Sequence, residues 1–353
     1  MNADKRRIVA AVKRQREAEG AARFEATAAQ LRSSEREKAV LRRQLGEALL
    51  FNDDLKAAVS KLPEIALAKR GPVGKVDVTL GVLVGDWHIG ERINKDEMGG
   101  FNAYDLSIAT KRIEILIERI LRWLALIRLG YNVKECWVVI LGDMVQGELH
   151  EEYMMTNEFP VPMQAVKAGH LLAKLLTELC REFERVTVDC IGADNHGRLS
   201  RKIQFKEAAR NSHNYTVYEV CRAILVNQKR LAMNYHLPLK AQVNIAGRSA
   251  LIEHGHTTKG WMGIPWFGIE RGESREAKKR MRYGKPYTDH FIGHWHAPAD
   301  LPGGLMINGA LCGATEFDSG ASRFATASQT SFLIHEKHGV FSRIVWELQE
   351  GER

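Results

Sequence analysis

The feature that most constrains the fold is an alternation of short apolar runs with amphipathic stretches over most of the chain. The runs "VDVTLGVLVG" (76–85), "CWVVILG" (136–142) and "RVTVDCIG" (185–192) have the length and β-branched content of strands. Between them lie two longer segments with apolar residues at helical spacing, 104–130 and 162–183. Strands that alternate with helices predict a β-sheet with crossover helices, and 353 residues at 45% hydrophobic composition suffice for a substantial core.

The last third of the chain is richer in short apolar runs. We predict that these are further strands, at 249–254, 289–293, 304–310, 330–336 and 340–348. The predicted fold class for the chain after residue 70 is therefore α/β.

The first 70 residues differ in composition, because they are rich in Ala, Arg, Glu, Lys, Gln and Leu and have no proline before Pro63. This composition predicts one or two exposed helices. The apolar residues sustain no heptad repeat, so a solvated helical extension is expected, with a coiled coil that makes a homo-oligomer as the alternative. The segment "RGPVG" at 70–74 ends the pattern. We therefore predict a helical extension over 1–70 and a single domain over 71–353.

Charge and cysteine content narrow the functional classes. The formal net charge of +8 favours acidic partners, nucleic acid first among them, although many ordinary surfaces are also basic. The five cysteines are scattered without a C-x-x-C pair, which disfavours a disulfide framework and a thiolate zinc site. No apolar run approaches the ~20 residues needed to cross a bilayer, and the charged N-terminus is unlike a secretory signal. A cytoplasmic protein without membrane contact is expected.

Polar side chains gather where five of the predicted strands end. The blocks are "GDWHIG" at 85–90, "GDMVQG" at 142–147, "GADNHGR" at 192–198, "EHGHT" at 253–257 and "GHWH" at 293–296. Loops at the carboxyl edge of such a sheet converge while the core stays apolar, so these blocks are expected to form one site. Histidines at a single strand end often only hydrogen-bond a neighbouring carbonyl, but five blocks together favour a functional site.

The order of these blocks, D-x-H, G-D, N-H, H and G-H-x-H, resembles the calcineurin-like metallophosphoesterase superfamily. The match runs from Val76 to the end of the chain. It departs from the Ser/Thr protein phosphatases, because "GDMVQGE" and "DNHGR" lack their additional acidic and arginine residues. The resemblance implies a four-layer α-β-β-α sandwich and phosphoester hydrolysis at two divalent metal ions. It also implies that one ion is held by Asp86, His88, Asp143 and His296, and the other by Asp143, Asn195, His254 and His294.

In this resemblance Asp143 bridges the two ions, and two carboxylates that face two dications leave the site net positive for a phosphate. Carboxylate and imidazole ligands suit Mn²⁺, Fe²⁺, Zn²⁺ or Ni²⁺, of which Mn²⁺ is expected because nucleases of the superfamily commonly use it. Alternate residues of an extended segment project to opposite sides, so His294 and His296 need a turn directly after the strand, which Gly293 permits. Trp295 is then expected to pack outward or to shield the site.

Three further residues of these blocks are candidates for contact with substrate. The superfamily's counterpart of His196 faces the substrate, where it can donate a proton to the leaving oxygen; a structural role is the alternative. Arg198 can hold a phosphate oxygen or lie exposed. His256 can touch substrate or orient His254. The predicted catalytic residues are therefore His196 and Asp143.

The segment 257–290, which lies between two predicted ligands, carries the strongest indication of the substrate. Its eight Lys and Arg residues outnumber three Glu residues and are interleaved with Trp261, Trp266, Phe267, Tyr283 and Tyr287. Grooves for single-stranded nucleic acid combine cations for the backbone with aromatic faces for stacking. A basic surface helix with aromatic side chains packed beneath it is the alternative. The substrate contacts predicted from this segment are Lys278, Lys279, Arg280 and Arg282.

These features together predict a metal-dependent nuclease or phosphodiesterase that acts on DNA or RNA. A phosphatase for a small-molecule or protein phosphomonoester is the enzymatic alternative. An inactive binding or structural protein on the same fold is the alternative from another class, and the presence of all the expected ligands disfavours it.

Overall fold

The structure is a computed structural model that describes residues 3–60, 74–260, 265–321 and 324–349. The chain divides into two compact units, Met1–Val73 and Gly74–Arg353. The predicted boundary at residue 70 lies outside the described residues. Among the helices that are described, none combines the length and the apolar content needed to cross a membrane.

The first unit contains one continuous helix, α1 (Ala3–Ser60), of 58 residues. This agrees with the prediction of one or two exposed helices. Large apolar side chains along the helix are exposed, for example Phe24 (76%), Leu50 (67%) and Phe51 (70%). An oligomer formed through α1 stays a prediction.

The second unit has six helices and eleven strands among its described residues. The helices are α2 (Leu106–Ile127), α3 (Glu151–Thr156), α4 (Val161–Glu182), α5 (His213–Ile224), α6 (Trp266–Arg282) and α7 (Glu316–Gly320). The strands are β1 (Val76–Val84), β2 (Tyr131–Ile140), β3 (Arg185–Ile191), β4 (Leu231–His236), β5 (Lys240–Ile245), β6 (Arg248–Glu253), β7 (Asp289–Ile292), β8 (Ala299–Leu301), β9 (Leu305–Ile307), β10 (Ser328–His335) and β11 (Gly339–Glu347).

The strands form two sheets. The first has the order β11-β10-β1-β2-β3-β4, in which β1 to β4 are parallel and β10 is antiparallel to both its neighbours. The second has the order β5-β6-β7-β9-β8, in which β6, β7 and β9 are parallel between antiparallel edge strands. Each sheet therefore has a parallel centre whose strands end at a common edge, where α/β proteins collect functional side chains.

Three clusters of buried apolar side chains stabilise this unit. The largest joins α2, α4 and α5 to the first sheet. The second joins the two sheets, and in it the Phe291 ring packs edge-on against Trp137 at 5.6 Å and stacks on Phe332 at 5.1 Å. The third packs Ile269 of α6 against Ile292 of β7. Full burial of one such side chain contributes about 1.5–3 kcal/mol, so these clusters fix the strands whose ends carry the site.

The strands and long helices predicted after residue 76 are all present, with ends that differ by a few residues. β2 begins earlier than predicted, at Tyr131, because its polar first residues pair with β1. The strands β4, β5 and β8 are not predicted, since their residues are largely polar or half-buried and lack a clear apolar run. The α/β class with two sheets and flanking helices is confirmed.

Candidate metal centre and substrate cleft

The predicted metal ligands all follow the carboxyl ends of parallel strands. Asp86 and His88 follow β1, Asp143 follows β2, Asn195 follows β3, His254 follows β6, and His294 and His296 follow β7. The loops after β1 and β2 remain paired beyond the strands. The N–H of Asp86 donates to the carbonyl of Gly142 at 3.0 Å, and that of His88 to the carbonyl of Asp143 at 3.0 Å. This pairing fixes three ligands relative to one another through the backbone alone.

The backbone at these ligands is strained. Eight of the described residues other than glycine have a positive φ, and five of the eight are predicted ligands: Asp86 (51°), His88 (49°), Asp143 (47°), His294 (71°) and His296 (58°). Side chains with a Cβ avoid this left-handed region, and each such residue costs of order 1–3 kcal/mol. Strain of this kind persists where the surrounding structure holds it for function. The backbone therefore marks this cluster independently of its side-chain chemistry.

Gly293 allows the turn expected before His294. A Cβ at Gly293 would lie 2.8 Å from Asp86 Oδ2, so a larger residue does not fit. The N–H of His294 donates to both carboxylate oxygens of Asp86, at 3.0 and 3.1 Å. Trp295 packs against the apolar cluster beneath α6. The carboxylate after β1 thus anchors the loop after β7.

One side of the centre is built around His88. Its Nδ1 lies 2.7 Å from Gln146 Oε1, and since that oxygen accepts, Nδ1 carries the proton and Nε2 is bare. This Nε2 lies 3.2 Å from Nε2 of His296 and 3.9 Å from Oδ2 of Asp143. Burial, with repulsion from His196, holds the pKa of His88 well below its usual range. The ring is therefore neutral at pH 7, as a metal ligand must be.

The other side is built around His254. Its Nδ1 donates to the carbonyl of Leu141 at 2.8 Å, which leaves Nε2 to face Asp143 Oδ2 at 3.0 Å and Asn195 Oδ1 at 2.7 Å. When the ring is neutral, three atoms with lone pairs converge here. A proton or a metal ion between them removes the repulsion. Donor atoms of Asp143, His254 and His294 all lie within 4.8 Å of one another.

The charges of the centre also favour a cation. Asp86, Asp143 and Asp194 are each no more than 4% exposed, and none forms an ion pair with Lys or Arg within the described ranges. Burial, with repulsion from Asp143, raises the pKa of Asp86 to about 8 and that of Asp194 to about 7. Burial alone would raise the pKa of Asp143 and lower that of His254. Their mutual attraction outweighs burial, holds the pKa of Asp143 well below its usual range and raises that of His254 to about 10. The imidazolium of His254 thus balances the charge of Asp143. It leaves Asp86 and Asp194, whose ionised forms a bound cation would stabilise.

The donor set fits the expected divalent ions. Carboxylate, imidazole and amide ligands suit Mn²⁺, Fe²⁺, Zn²⁺ and Ni²⁺. Three groups of ligand-capable atoms lie within 4.8 Å of one another: His88–His296–Cys312, His88–Asp143–His196 and Asp143–His254–His294. Asp143 belongs to two groups, which suits a bridging carboxylate. Cys312 is a candidate ligand that the sequence did not predict, and burial raises the pKa of its thiol, which disfavours the thiolate that metals bind.

His196 lies beside the centre. Its backbone N–H donates to Asp143 Oδ1 at 3.0 Å and its Nδ1 to the carbonyl of Gln146 at 2.9 Å, which leaves Nε2 for a substrate or an ion. The ring packs edge-on against His88 at 4.5 Å and stacks on Tyr153 at 5.7 Å. These contacts fix the ring beside the centre, and the grouping with His88 and Asp143 also allows it to bind metal. Proton transfer by His196 remains a prediction.

Arg198 and His256 make contacts other than the predicted ones. The guanidinium of Arg198 donates to three backbone carbonyls of the loop after β3, so it stabilises this loop. His254 is oriented by the carbonyl of Leu141 and not by His256. The ring of His256 lies 5.5 Å from that of His254, and its buried Nδ1 has no hydrogen-bond partner in the described part of the chain. A substrate contact through His256 remains a prediction.

The described part of the segment 257–290 contains α6, the surface helix of the alternative interpretation. Trp266 packs in the apolar cluster beneath the helix, whereas Phe267 and Tyr283 are 58% and 74% exposed. Trp261 lies outside the described residues. The aromatic side chains are therefore divided between core and surface and do not form one stacking face.

The four predicted substrate contacts at the end of α6 differ from one another. Arg280 bonds to Glu276 at 2.8 Å and to two oxygens of β5 at 2.8 and 3.1 Å, and its side chain is 14% exposed. Its guanidinium is thus engaged with the protein. Lys279 pairs with Glu276 at 3.2 Å but is 61% exposed, and Lys278 and Arg282 are exposed. These three residues, which we call the basic turn, lie at the end of α6 next to β5, an edge strand.

A cleft of about 610 Å³ opens from the metal centre. Its lining includes Tyr153, Phe317 and four acidic residues that we call the acidic wall, Glu91, Glu152, Glu316 and Asp318. No Lys or Arg lines the cleft within the described part of the chain. Asp318 Oδ2 lies 3.9 Å from His296 Nδ1, so the acidic wall begins at the centre. Burial, with repulsion from Glu316 and Glu152, raises the pKa of Glu91 to about 8.

Comparison with known proteins gives distant matches. No family model matches the sequence, and no curated protein matches it. A solved structure of vacuolar protein sorting 29 from Cryptosporidium parvum is 14% identical and covers 78% of this chain and 94% of its own, with a TM-score of 0.32. Wild-type Vps29 from Entamoeba histolytica, complexed with Zn²⁺, is 11% identical. It covers 76% of this chain and 99% of its own, with a TM-score of 0.27.

A conserved uncharacterized protein from Streptococcus pneumoniae, described as a predicted phosphoesterase, is 8% identical. It covers 50% of this chain and 90% of its own, with a TM-score of 0.25. At these identities and TM-scores the matches carry no argument about the site. The resemblance to the calcineurin-like metallophosphoesterase superfamily rests on the order of the sequence blocks, and the chemistry of the site rests on the residues and distances above.

Several residues of the site have no role in the sequence prediction. Asp194 accepts from the N–H groups of Asp143 at 2.7 Å and Gly197 at 3.0 Å, and so joins the loops after β2 and β3. Gln146 orients His88. They stand inside the blocks "GADNHGR" and "GDMVQG", where a polar residue one to three positions from a predicted ligand was the available signal. The acidic wall had no such signal, because its residues come from separate segments of the chain.

Proposed function

We propose that this chain hydrolyses phosphoesters at a centre of two divalent metal ions. The observation that carries the proposal is the convergence of His254 Nε2 with Asp143 Oδ2 and Asn195 Oδ1 at 3.0 and 2.7 Å. Strain at five ligands and the order of the sequence blocks support it. The residues that would hold the ions are Asp86, His88, Asp143, Asn195, His254, His294 and His296.

When bound, such ions supply a nucleophile from water at neutral pH and positive charge for the phosphate oxygens. The chain supplies position and proton transfer. Asp143 is fixed through its backbone by Asp194, and His88 through its ring by Gln146. His196 is held at both its backbone and its Nδ1, so its Nε2 can donate a proton to the leaving oxygen.

The three apolar clusters support a four-layer α-β-β-α order as part of this proposal. One cluster joins α2, α4 and α5 to the first sheet, one joins the two sheets, and one joins the second sheet to α6. In such an order, the loops at the parallel ends of both sheets contribute ligands to one centre. This is the distribution of the seven proposed ligands.

The test is hydrolysis by purified protein that has been stripped with a chelator and reloaded with Mn²⁺, Fe²⁺, Zn²⁺ or Ni²⁺. We expect release of nitrophenol from a chromogenic phosphodiester only after reloading, with two ions per chain by elemental analysis. A chromogenic monoester assayed in parallel distinguishes a phosphodiesterase from a phosphatase. Two bound ions without hydrolysis of either ester would favour the inactive binding protein.

Nucleic acid is a second, narrower candidate for the substrate. The observation that favours it is the basic turn, whose exposed cations suit a phosphate backbone. The lining of the cleft does not favour it, since the described lining residues include no Lys or Arg. A nucleic-acid strand would therefore have to gain its affinity outside the cleft. The salt dependence of binding, considered below, tests this candidate.

A further inference from the structure

We propose that the acidic wall binds a positively charged group of the substrate, so that the preferred phosphoester carries an amino or quaternary ammonium substituent. The inference rests on the proposed function and names the substrate class of that same centre. The cation lies on the part of the substrate next to the phosphorus and not on the leaving nitrophenol of the assays below.

The composition of the cleft is the first observation. Five carboxylate residues line it, Glu91, Asp143, Glu152, Glu316 and Asp318, and its described lining contains no Lys or Arg. The whole chain has a net charge of +8, so this lining departs from the average surface. A concave surface lined with one sign of charge concentrates ligands of the opposite sign. The metal centre would bind the phosphate itself, so the acidic wall is available to bind a different part of the substrate.

The state of Glu91 is the second and independent observation. Its side chain lines the cleft, is only 9% exposed and has no hydrogen bond or ion pair with any described residue. Its backbone N–H donates to the carbonyl of His88 at 2.9 Å, so a tight turn holds Glu91 close to a proposed ligand. A buried carboxyl group is normally paired, and its ionised form needs a cation nearby. Glu91 is unpaired at the wall of the cleft and therefore points to a ligand inside it, and a cationic group would be the partner of the ionised carboxylate.

Aromatic side chains add a preference for an organic cation. The Tyr153 and Phe317 rings line the same cleft, and Tyr153 is held in place by stacking on His196 at 5.7 Å. Faces of aromatic rings attract ammonium groups, and rings combined with carboxylates are typical of sites for quaternary ammonium. Asp318 lies 3.9 Å from His296, so a substituent on a phosphate held at the centre reaches the acidic wall directly.

The test compares two esters of the same shape. One is 4-nitrophenyl phosphocholine, and the other is its 3,3-dimethylbutyl analogue, in which carbon replaces the ammonium nitrogen. We expect metal-loaded protein to hydrolyse the choline ester with a kcat/KM about tenfold higher or more, and we expect Glu91→Gln and Glu152→Gln each to reduce this ratio. Glu151→Gln is the matched control, since Glu151 neighbours Glu152 but does not line the cleft, and should keep the ratio.

The outcomes separate this inference from the proposed function. Equal kcat/KM for the two esters overturns the inference and leaves the proposed function in place. Hydrolysis of neither ester overturns the proposed function, and calorimetry with phosphocholine and the 3,3-dimethylbutyl phosphate then decides the inference by itself. If the cation is instead a further metal ion, elemental analysis will show one ion fewer in Glu91→Gln and an unchanged ester ratio, which also overturns the proposal.

Discussion

The cleft at the metal centre and the basic turn of α6 have opposite chemistry. The cleft contains five carboxylate residues and no described Lys or Arg. The predicted ligands of the centre account for five of the eight described non-glycine residues with a positive φ. The basic turn consists of Lys278, Lys279 and Arg282 on a regular helix, exposed and unstrained. Strain and buried charge therefore coincide at the centre, whereas net positive charge lies elsewhere.

The difference teaches where charge is informative. A net charge of +8 first suggested nucleic acid, but the described lining of the cleft is acidic. Exposed lysines lie in high dielectric and cost the fold little, so their presence says little about chemistry. A buried carboxyl group without a partner costs stability, so its presence calls for a functional explanation. Substitutions in the two regions should accordingly have effects of very different size.

Asp143→Asn should have the largest effect, because it removes a shared charge from both sides of the centre while keeping the shape of the side chain. We expect loss of bound metal and a fall in kcat of roughly 10⁴-fold or more on a chromogenic diester. Elemental analysis and steady-state assays measure the two effects. Asp189→Asn is the matched control, because Asp189 is also buried but bonds to Trp137, Asn234 and His236 instead of to any proposed ligand. Full metal content with normal turnover in Asp143→Asn would contradict the bridging role.

His196→Gln should leave the metal content unchanged and lower kcat by roughly 10²–10⁴-fold, the usual contribution of a positioned proton donor. The loss should be greater for an alkyl leaving group than for nitrophenol, because nitrophenolate leaves without a proton. Tyr153→Phe keeps the ring that stacks on His196 and is the control. Loss of metal in His196→Gln would show that His196 is a ligand, and an equal loss for both leaving groups would exclude proton donation.

The convergence of the proposed ligands was predictable because of a simple rule about sheets. Parallel strands end at a common edge, so five polar blocks at strand ends had to converge once the strands were identified. Strands with long apolar runs, such as β1, were also predictable from the sequence. The short strands β4 and β5 did not, because their half-buried residues owe their conformation to pairing with neighbours.

Neither the acidic wall nor the engagement of Arg280 with the protein could be predicted, for a related reason. Glu91, Glu152 and Glu316 are far apart in sequence and approach only through the fold. Arg280 stands among exposed cations in sequence, but one turn of α6 brings its guanidinium onto Glu276 and β5. Whether a charged side chain is exposed or engaged depends on its helical phase and on the partner surface, and the sequence alone contains neither.

The next prediction concerns a buried ion network beneath α6, where we expect an effect of intermediate size. His290 is 2% exposed, contacts Glu253 at 3.0 Å and bonds to Glu273 of α6. Burial alone would lower the pKa of His290, but its interactions with the two glutamates outweigh burial and raise it. A folded-state pKa above the unfolded value of about 6.5 contributes stability that is fully present below pH 6.5 and lost as the pH rises through the folded value.

His290→Gln should therefore lower the free energy of unfolding by roughly 1.5–3 kcal/mol near pH 6, because it removes a charged partner from Glu253, which keeps Lys240, and from the partly exposed Glu273. The difference from wild type should shrink as the pH rises from 6 towards 9. Urea unfolding at each pH measures it, and His170→Gln, an exposed histidine of α4, should show almost no difference at any pH. A difference for His290→Gln that grows with pH would mean that the ring is neutral in the folded protein.

The smallest effect on the centre is expected from the basic turn. Replacing Lys278, Lys279 and Arg282 with Ala, while keeping the engaged Arg280, leaves every proposed ligand in place. If the basic turn binds a nucleic-acid backbone, the slope of log affinity against log salt should become shallower by about one unit for each lost phosphate contact. Hydrolysis of a small diester should change little, because that substrate reaches only the cleft. Binding to labelled single-stranded DNA and RNA at several salt concentrations measures the slope.

A matched variant separates contact from net charge in this last prediction. Lys111, Lys229 and Lys337 are exposed and outside α6, so replacing them with Ala removes the same formal charge from other surfaces. Long-range attraction alone would reduce affinity equally in the two triple variants, whereas contact with the strand would flatten the salt slope in the basic-turn variant only. An unchanged slope in both variants would exclude the basic turn as a nucleic-acid site. The acidic cleft would then define the substrate by itself, as a small phosphoester and not a polyanion.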